Sequence, residues 1–496
     1  MSSRTQEDLR SQKTANGCSW LRELASWTEG LVATGNTSPV TGKLGWLVAV
    51  CVGCSTPADL ASVPELSPAI DMNPDPNIVE VSLVASKATT DYGNGSRTDV
   101  LAYRDGAVAG SEATVPGPMI EAKLGDRLIV HLRNDLADRE TTLHWHGLRL
   151  PIEMDGDPSV VASVPPGGTF DYDFVLQDAG LFWYHPHVET DEQIELGLQG
   201  PLLVRASSEP AIAVERTFVL DDVDLDDDDQ VRIDPSRDDL VLGRRGDALL
   251  VNGKPPGTVV ASAGSVERWR IVNTSNGRFF DLSLDGRPMR VIGWDGGLIP
   301  QPYDVDHLVI APGERYDLVV ALDRSRGSST ELRTLAVPRG HGGMDPAALL
   351  VSFELDGEPR TADELPTAGP AITPLPVTAQ TVVRPFVLTE VLEGPQGSIF
   401  LINGQRWPLN TPVEVTIGDV EVLEVQNDAD GDHPMHIHGH FVQLEGQLGW
   451  KDTFVVPAHT MLRAAVRYEA PGKWMFHCQI PEHAERGMTA DLNVRP

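Results

Sequence analysis

The chain has 496 residues and a formal net charge of −33, with 39 Lys and Arg against 72 Asp and Glu. This acidic balance argues against a nucleic-acid partner, because phosphate binding needs clustered basic side chains. The length fits about three globular domains. Only four cysteines are present, Cys18, Cys51, Cys54 and Cys478, and Cys478 stands far from the other three, so a disulfide framework is excluded for the body of the protein.

The first 75 residues resemble an export signal followed by a linker. Lys43 precedes a short apolar run, residues 44–53, which is too short to cross a bilayer as a helix. This run ends at Gly53-Cys54 and is similar to a bacterial lipoprotein signal, with Cys54 as the lipid anchor. It predicts export to the periplasm or cell envelope; the alternative is a disordered tail with a chance apolar patch. Residues 56–76, rich in Pro, Ala and acidic residues, are typical of a tether.

Two histidine pairs follow, His144-Trp145-His146 and His185-Pro186-His187. On a strand, His-X-His places both imidazoles on one face, because side chains alternate with period two. A single pair of this kind is weak evidence for a metal site, since core histidines are common. The rest of the chain strengthens the evidence that these two histidine pairs bind metal.

Three segments share one local pattern, a Gly followed nine residues later by an Asn with alternating apolar residues between them, as in half-buried strands. They are residues 125–134, 264–273 and 418–427. Many short strands with Gly and Pro turns indicate all-β sandwiches. Three copies predict three related sandwich domains, at residues 76–207, 208–375 and 376–496, after the leading segment of residues 1–75.

The C-terminal copy carries the densest set of metal-binding side chains. His433-Pro434-Met435-His436-Ile437-His438 comes first, and His477-Cys478-Gln479 follows with His483 and Met488. His436 and His438 stand at nearly the same distance from the Gly of their repeat as His144 and His146 do from theirs. The middle copy has no histidine there. The first and third copies therefore face each other across one site with eight inward positions: His144, His146, His185, His187, His436, His438, His477 and Gln479.

Cys478 lies between two inward positions and so points the opposite way. With His433, His483 and Met488 it forms a second, mononuclear site. Imidazole, thiolate and a weak axial thioether make the blue-copper electron-transfer arrangement. The thiolate is one peptide bond from a ligand of the other site, which offers electrons a short route. The remaining histidines lack such support and are interpreted as structural or surface residues: His131, His307, His341, His440 and His459.

These motifs resemble the multicopper oxidase family of laccases, bilirubin oxidases and bacterial cuprous oxidases. The resemblance implies an all-β chain of three cupredoxin-like Greek-key domains that binds up to four copper ions. It assigns the type 1 copper to His433, Cys478, His483 and Met488, the type 2 copper to His144 and His436, and the type 3 pair to His146, His185, His187, His438 and His477. The implied enzyme takes single electrons from phenolic, aromatic or metal-ion substrates at the type 1 copper. Electrons pass through Cys478, and dioxygen is reduced to water at the trinuclear cluster.

Gln479 departs from the family pattern, which has His-Cys-His at residues 477–479. The copper expected at His146 and His185 then keeps two imidazoles, and a Gln oxygen is a harder and weaker ligand for copper. This copper either binds weakly, stands open to water, or is absent. A non-enzymatic blue-copper or copper-binding envelope protein is therefore the alternative function. A nitrite-reductase-like enzyme is the third hypothesis, although such proteins have two domains.

Two acidic residues are candidates for supplying protons to the reduction of dioxygen. Asp155 matches a family acid near the trinuclear site. The acid that bacterial relatives often carry after the second type 1 histidine is replaced by Ala484, with Glu482 and Glu485 close by. Asp155 is thus the predicted proton relay, together with Glu482.

Overall fold

A computed structural model describes residues 60–359, 364–394 and 397–496. The predicted signal segment, with Cys54, lies outside these residues. Cys478 is the free cysteine of the described part of the chain. Of the helices described, none is long and apolar enough to cross a membrane.

The stretch predicted to be a tether is bound to the body where the structure describes it. The Val63 N–H donates to the carbonyl of Thr258 at 3.0 Å, and the Met119 N–H donates to the carbonyl of Ser67 at 2.7 Å. Val63 also packs against a hydrophobic core. The tether prediction is therefore wrong for these residues, because their backbone groups and scattered apolar side chains find partners on the body.

The described strands form three successive pairs of sheets. The strands of the first pair are β1 (Ile78–Thr90), β2 (Thr98–Asp105), β3 (Ile120–Lys123), β4 (Arg127–Asn134), β5 (His144–His146), β6 (Thr169–Val175), β7 (Gly180–His185) and β8 (Gly200–Arg205). Their orders are β2-β1-β4-β6 and β3-β8-β7-β5. A 3₁₀ helix (Ile152–Met154) and helix α1 (Thr190–Glu195) lie in its connections.

The second pair is the largest and contains helix α2 (Arg237–Leu242). Its strands are β9 (Val214–Val223), β10 (Ala248–Val251), β11 (Gly257–Ser262), β12 (Ser265–Asn273), β13 (Phe280–Leu284), β14 (Met289–Trp294), β15 (Gly297–Val305), β16 (Leu308–Ile310), β17 (Arg315–Leu322), β18 (Ser329–Leu335), β19 (Val337–Pro338), β20 (Met344–Asp345) and β21 (Ala348–Gly357). The sheet orders are β10-β9-β12-β17-β14-β15 and β11-β21-β18-β13-β16, with β19 and β20 as a separate hairpin.

The third pair contains helix α3 (Pro481–Glu485). Its strands are β22 (Val382–Gly394), β23 (Gly397–Ile402), β24 (Val413–Thr416), β25 (Val420–Asn427), β26 (His433–Ile437), β27 (Val442–Leu444), β28 (Thr453–Val456), β29 (Met461–Arg467), β30 (Gly472–Cys478) and β31 (Thr489–Arg495). The sheet orders are β23-β22-β25-β29-β27 and β24-β31-β30-β26-β28.

The three sequence repeats are the same strand in each sheet pair. β4, β12 and β25 each run parallel to the first strand of their pair and antiparallel to β6, β17 and β29 respectively. The Asn that ends each repeat is fully buried, and its side-chain amide donates to two backbone carbonyls; these residues are Asn134, Asn273 and Asn427. The predicted all-β fold of three related sandwiches is thus confirmed. The exact domain limits stay a prediction; residues 207/208 and 375/376 both fall between strands.

The clusters of buried hydrophobic residues show which sheet pairs share a core. Buried residues of the first and third pairs form one cluster, whereas most of those of the second pair form another. β5 pairs with β7, and β26 pairs with β30, so each histidine-bearing strand lies beside another one. The metal-binding side chains therefore converge where the first and third pairs meet.

Candidate metal centres

The mononuclear site lies inside the third sheet pair. The Sγ atom of Cys478 is 3.6 Å from Nδ1 of His433 and 3.6 Å from Nδ1 of His483, and these two nitrogens are 3.3 Å apart. Met488, fully buried, is tied to the same residues, because its carbonyl accepts from the Cys478 N–H and its N–H donates to the His483 carbonyl. The three ligand atoms thus form a compact triangle.

Two strands and one helix make this triangle. His433 begins β26, Cys478 ends the adjacent β30, and His483 lies in α3, which starts directly after the strand at Pro481. Proline is favoured in the first helical turn, where its missing N–H costs nothing. The short helix brings the chain back so that His483 faces Cys478.

A copper ion fits the triangle. The separations of 3.3 and 3.6 Å suit one ion that two imidazoles and a thiolate would hold, since bonds of about 2.0 Å to imidazole and about 2.3 Å to thiolate are typical of such ligands. Burial raises the pKa of the Cys478 thiol above its ordinary value. A bound cation would hold the thiolate form that this burial otherwise disfavours.

The second site is a cluster of seven histidines, called here the histidine cluster, which consists of His144, His146, His185, His187, His436, His438 and His477. Rings from the first and third sheet pairs stack on each other, His144 on His438 with centroids 3.9 Å apart and His146 on His436 at 3.8 Å. Ligand atoms of His187, His438 and His477 lie within 4.8 Å of one another. The site is therefore shared by two sheet pairs, as the repeats predict.

The strands end earlier than the prediction of paired His-X-His strands requires. β7 stops at His185 and β26 stops at Ile437, so His187 and His438 lie just beyond strand ends. Pro186 offers no N–H for a ladder and so ends β7. The rings of His187 and His438 still converge, with centroids 4.9 Å apart.

The buried ring nitrogens test whether metal fits this cluster. Each of these atoms is buried without a hydrogen-bond partner among the described residues: Nε2 of His144, His185, His187 and His436, and Nδ1 of His146. In four of these rings, all but His187, the opposite nitrogen is hydrogen-bonded; Nδ1 of His144 bonds the carbonyl of Asp155 at 2.9 Å, and Nδ1 of His436 bonds that of Asp452 at 3.0 Å. A bond from the other nitrogen to protein fixes the tautomer of a metal-binding histidine. The free lone pairs therefore fit copper.

Burial holds the rings in the form that binds metal. It lowers the pKa of His477 to about 3 and the pKa of His185, His187 and His438 well below the ordinary value. Neutral imidazole is the ligand form. The histidine cluster thus offers copper lone pairs without competition from protons near neutral pH.

Asp155 lies where the sequence places it, against the histidine cluster. Its Oδ2 accepts a hydrogen bond from Nδ1 of His438 at 2.8 Å, while its backbone carbonyl accepts the bond from His144. The residue is 1% exposed. A single acid therefore orients rings from both sheet pairs, and its relay role stays a prediction.

Glu482 lies away from this site. Its Oε1 accepts from the Asn276 amide at 3.0 Å and is 3.8 Å from Nε of Arg244, both on the second sheet pair. Burial raises its pKa to about 7. Among the described residues that line the nearby cavity, Glu485 is present and Glu482 is not. The proton role of Glu482 stays a prediction, without a contact to the histidine cluster.

That cavity, about 300 Å³ in volume, leads to the histidine cluster. Its lining runs from the exposed Glu140 and Glu189 to the buried His185 and Gln479. It thus connects the cluster with the surface and gives a small molecule or water a route to it.

A buried charge network beside the cluster was missed in the sequence. Nη1 and Nη2 of Arg315 donate to the two carboxylate oxygens of Asp452 at 2.7 and 2.6 Å, and Oδ1 of Asp452 is 3.2 Å from Nε2 of His146. Burial raises the pKa of Asp452, but Arg315 outweighs it and holds that pKa well below the usual range. Nζ of Lys451 lies 3.1 Å from Asp295 and 3.0 Å from Glu314. The sequence signals for this network are two adjacent pairs of opposite charge, Glu314-Arg315 and Lys451-Asp452.

Comparisons with known proteins identify the family of this chain. Sequence models described as multicopper oxidase match residues 96–209, 224–328 and 380–496. The multicopper oxidase MmcO of Mycobacterium tuberculosis is 31% identical over 420 residues, which cover 77% of this chain and 82% of that protein. Laccase-1 of Botryotinia fuckeliana is 27% identical over 443 residues and covers 76% of each.

A solved structure has the same architecture. The McoA multicopper oxidase 2F4 variant from the hyperthermophile Aquifex aeolicus superimposes with a TM-score of 0.77 at 27% identity, over 88% of this chain and 100% of that one. The expected cupredoxin fold, copper cofactor and oxidase activity are therefore confirmed, and the non-enzymatic alternative is not favoured. The chain belongs to the multicopper oxidase family and is a copper-dependent oxidoreductase.

Proposed function

We propose that the chain oxidises its substrate at a type 1 copper held by His433, Cys478, His483 and Met488 and reduces dioxygen at the histidine cluster. The observation that carries this proposal is the junction of the two sites. Cys478 belongs to the mononuclear triangle, and the adjacent His477 belongs to the histidine cluster, with Nδ1 bonded to the Cys478 carbonyl at 2.8 Å. One residue step thus links a one-electron site to a multi-metal site.

Copper, when bound, supplies the redox chemistry, in which four electrons taken singly from substrate convert one dioxygen and four protons into two waters. The chain's own residues set the conditions. The mononuclear triangle is fully buried, which keeps water from the thiolate. Asp155 holds the ring of His438 by a hydrogen bond, and Thr453 holds the ring of His146, with Asp452 3.2 Å from the same nitrogen. The cavity lined by His185 and Gln479 admits dioxygen and releases water.

The substrate class that we propose is an easily oxidised phenol, an aromatic amine or a metal ion such as Cu(I). The basis is Met488, which would complete the ligand set of the type 1 copper with a weak thioether. Such a ligand tunes the potential of the site and favours a moderate value, which suits easily oxidised substrates. The relative named laccase supports a phenolic substrate. His483 is not open to bulk solvent, since its Nε2 donates to the carbonyl of Val241 at 3.2 Å. Electrons from a substrate at the surface therefore have to pass through the protein near α2 to reach the type 1 copper.

Oxygen uptake by copper-loaded protein tests the function. With 2,6-dimethoxyphenol or Cu(I) as reductant, we expect uptake that saturates with substrate. Cys478→Ser should abolish both the blue absorbance and the uptake, while the surface control His459→Gln should leave both unchanged. Absence of uptake from protein with full copper occupancy would overturn the proposal.

We also propose export, with lipid attachment at Cys54. The support is the apolar run that ends at Gly53-Cys54. Fractionation of cells that express the full chain should place it in the envelope, and Cys54→Ala should release it from the membrane fraction. Recovery of the unmodified chain from the cytoplasm would contradict export.

A further inference from the structure

Gln479 is buried against the histidine cluster with one atom unsatisfied. Its backbone N–H donates to the Pro434 carbonyl at 2.6 Å, which fixes the main chain. Its Oε1 is buried and has no hydrogen-bond partner among the described residues. The side chain is 4% exposed and lines the cavity that reaches the cluster. A buried carbonyl oxygen without a hydrogen bond costs free energy of folding. We therefore expect this oxygen to bind a ligand.

Gly313 places the Gln479 side chain beside His146. Gly313 precedes β17 with φ +80, and a Cβ there would lie 2.6 Å from Cγ of Gln479 and 3.0 Å from Cε1 of His146. One point of the second sheet pair therefore touches both side chains. A larger residue at this position would push the carboxamide and the ring apart.

Two histidine nitrogens near Gln479 also lack a partner. Nδ1 of His146 and Nε2 of His185 are buried without a partner among the described residues, and the two rings have centroids 5.8 Å apart. His146 uses its Nε2 for a bond to the hydroxyl of Thr453 at 2.9 Å, so its Nδ1 is free for metal. Two imidazole nitrogens and one amide oxygen thus remain unsatisfied on neighbouring side chains, because the ring of His146 lies next to that of His185 and next to Gln479 across Gly313.

We infer that the amide oxygen of Gln479 is the third protein ligand of the copper held by His146 and His185. The inference rests on the proposed function, which places copper at the histidine cluster. A neutral amide oxygen is a harder ligand than imidazole and binds copper less strongly. The neighbouring set of His187, His438 and His477 offers three imidazoles. The type 3 pair is therefore unequal, and the copper at Gln479 is the more easily lost.

Graded chelation of copper-loaded protein tests this inference. The wild type is compared with Gln479→His, which restores imidazole, with Gln479→Glu, which offers a charged oxygen, and with Gln479→Leu, which fills the space without a ligand. Copper per chain is measured by metal analysis, and the EPR-visible fraction is measured on the same samples. A coupled type 3 pair is EPR-silent, so loss of one member makes its partner visible.

We expect the wild type to lose one copper at a chelator concentration about 10–100-fold lower than Gln479→His requires, the usual effect of weakening one contact at a metal site. Gln479→Leu should lose it at a still lower concentration, and Gln479→Glu should hold it more tightly than the wild type. The EPR-visible fraction should rise as this copper leaves, while the blue absorbance stays constant.

Two results would overturn the inference. If the wild type and Gln479→Leu lose copper at the same chelator concentration, the amide oxygen is not a ligand. If the wild type holds copper as tightly as Gln479→His, the pair is not unequal. Failure of the proposed function looks different, because then even Gln479→His binds no copper beyond the type 1 ion. An intact blue absorbance confirms in each variant that the third sheet pair is folded.

Discussion

At the scale of single residues, Asp155 acts on two rings through two different groups. Its carboxylate accepts from His438, and its backbone carbonyl accepts from His144. Asp155→Asn keeps the backbone bond but replaces the side-chain carboxyl acceptor with an amide. We expect oxygen turnover to fall about 10–100-fold, as is typical when a partner of a metal ligand is altered.

Anaerobic reduction of the type 1 copper by substrate is the companion measurement for Asp155→Asn. It should proceed at the wild-type rate, because Asp155 contacts the histidine cluster and not the mononuclear triangle. Asp171→Asn, on the exposed face of β6, is the matched control. Wild-type turnover in Asp155→Asn would contradict the role.

The residues that could be predicted from the sequence are those with local or repeated spacing. His144, His146, His436 and His438 stand in equivalent places of two repeats, and alternation along a strand settles their direction. Arg315 and Asp452 have no such signal, because they meet only after β17 of the second sheet pair packs beside the third. The orientation of Glu482 could not be predicted either, since adjacency to His483 does not decide that its carboxylate accepts from Asn276.

At the scale of elements, β17 is connected to the histidine cluster through Arg315. The guanidinium forms two bonds to Asp452, and both side chains are buried. Arg315→Met leaves the Asp452 carboxylate buried without its main partner. We expect a loss of about 3–5 kcal/mol in stability, the usual cost of breaking a buried ion pair from one side. The urea midpoint of the apo-protein measures it.

The double variant Arg315→Met/Asp452→Leu is the control for that loss. It removes the stranded charge, so the two changes together should cost less than the sum of the single ones. Additive losses would show that Arg315 stabilises β17 independently of Asp452.

Three neighbouring strands are also joined by a histidine whose charge depends on pH. His131 on β4 lies 3.0 Å from Glu80 on β1 and 2.7 Å from Asp171 on β6. Its hydrogen bonds to Glu80 and then Asp171 raise the pKa of His131. The folded state thus favours the protonated ring, and the contribution is fully present below the unfolded pKa of about 6.5. It is lost as the pH rises through the higher folded value.

His131→Gln measures this contribution. Since the ring is partly exposed, we expect a stabilisation of no more than about 1 kcal/mol. The wild type should melt above His131→Gln at pH 5.5, and the difference should vanish near pH 9. An equal difference at both pH values would show that packing, and not charge, is responsible.

At the scale of the whole molecule, the two metal sites differ in the sheet pairs that supply their ligands. The mononuclear site takes every ligand from the third sheet pair, whereas the histidine cluster takes ligands from the first and the third. Copper in the cluster therefore ties two sandwiches together, besides the apolar core that they share. A ligand that binds only the folded state stabilises it by about 4 kcal/mol at 1,000 times its Kd.

Removal of copper should accordingly lower the thermal midpoint and divide the calorimetric transition, because the first and third sheet pairs then lose their common ligands. Cys478→Ser removes one ligand of the type 1 copper and leaves the histidine cluster unchanged. It should therefore lower the thermal midpoint less and keep one transition. The comparison needs copper-loaded protein, the apo-protein and Cys478→Ser, each scanned in the calorimeter at one protein concentration. If apo-protein and Cys478→Ser show the same shift, copper in the histidine cluster does not join the sandwiches energetically, and the shared apolar core and direct contacts such as the bond between Asp155 and His438 hold the first and third pairs together.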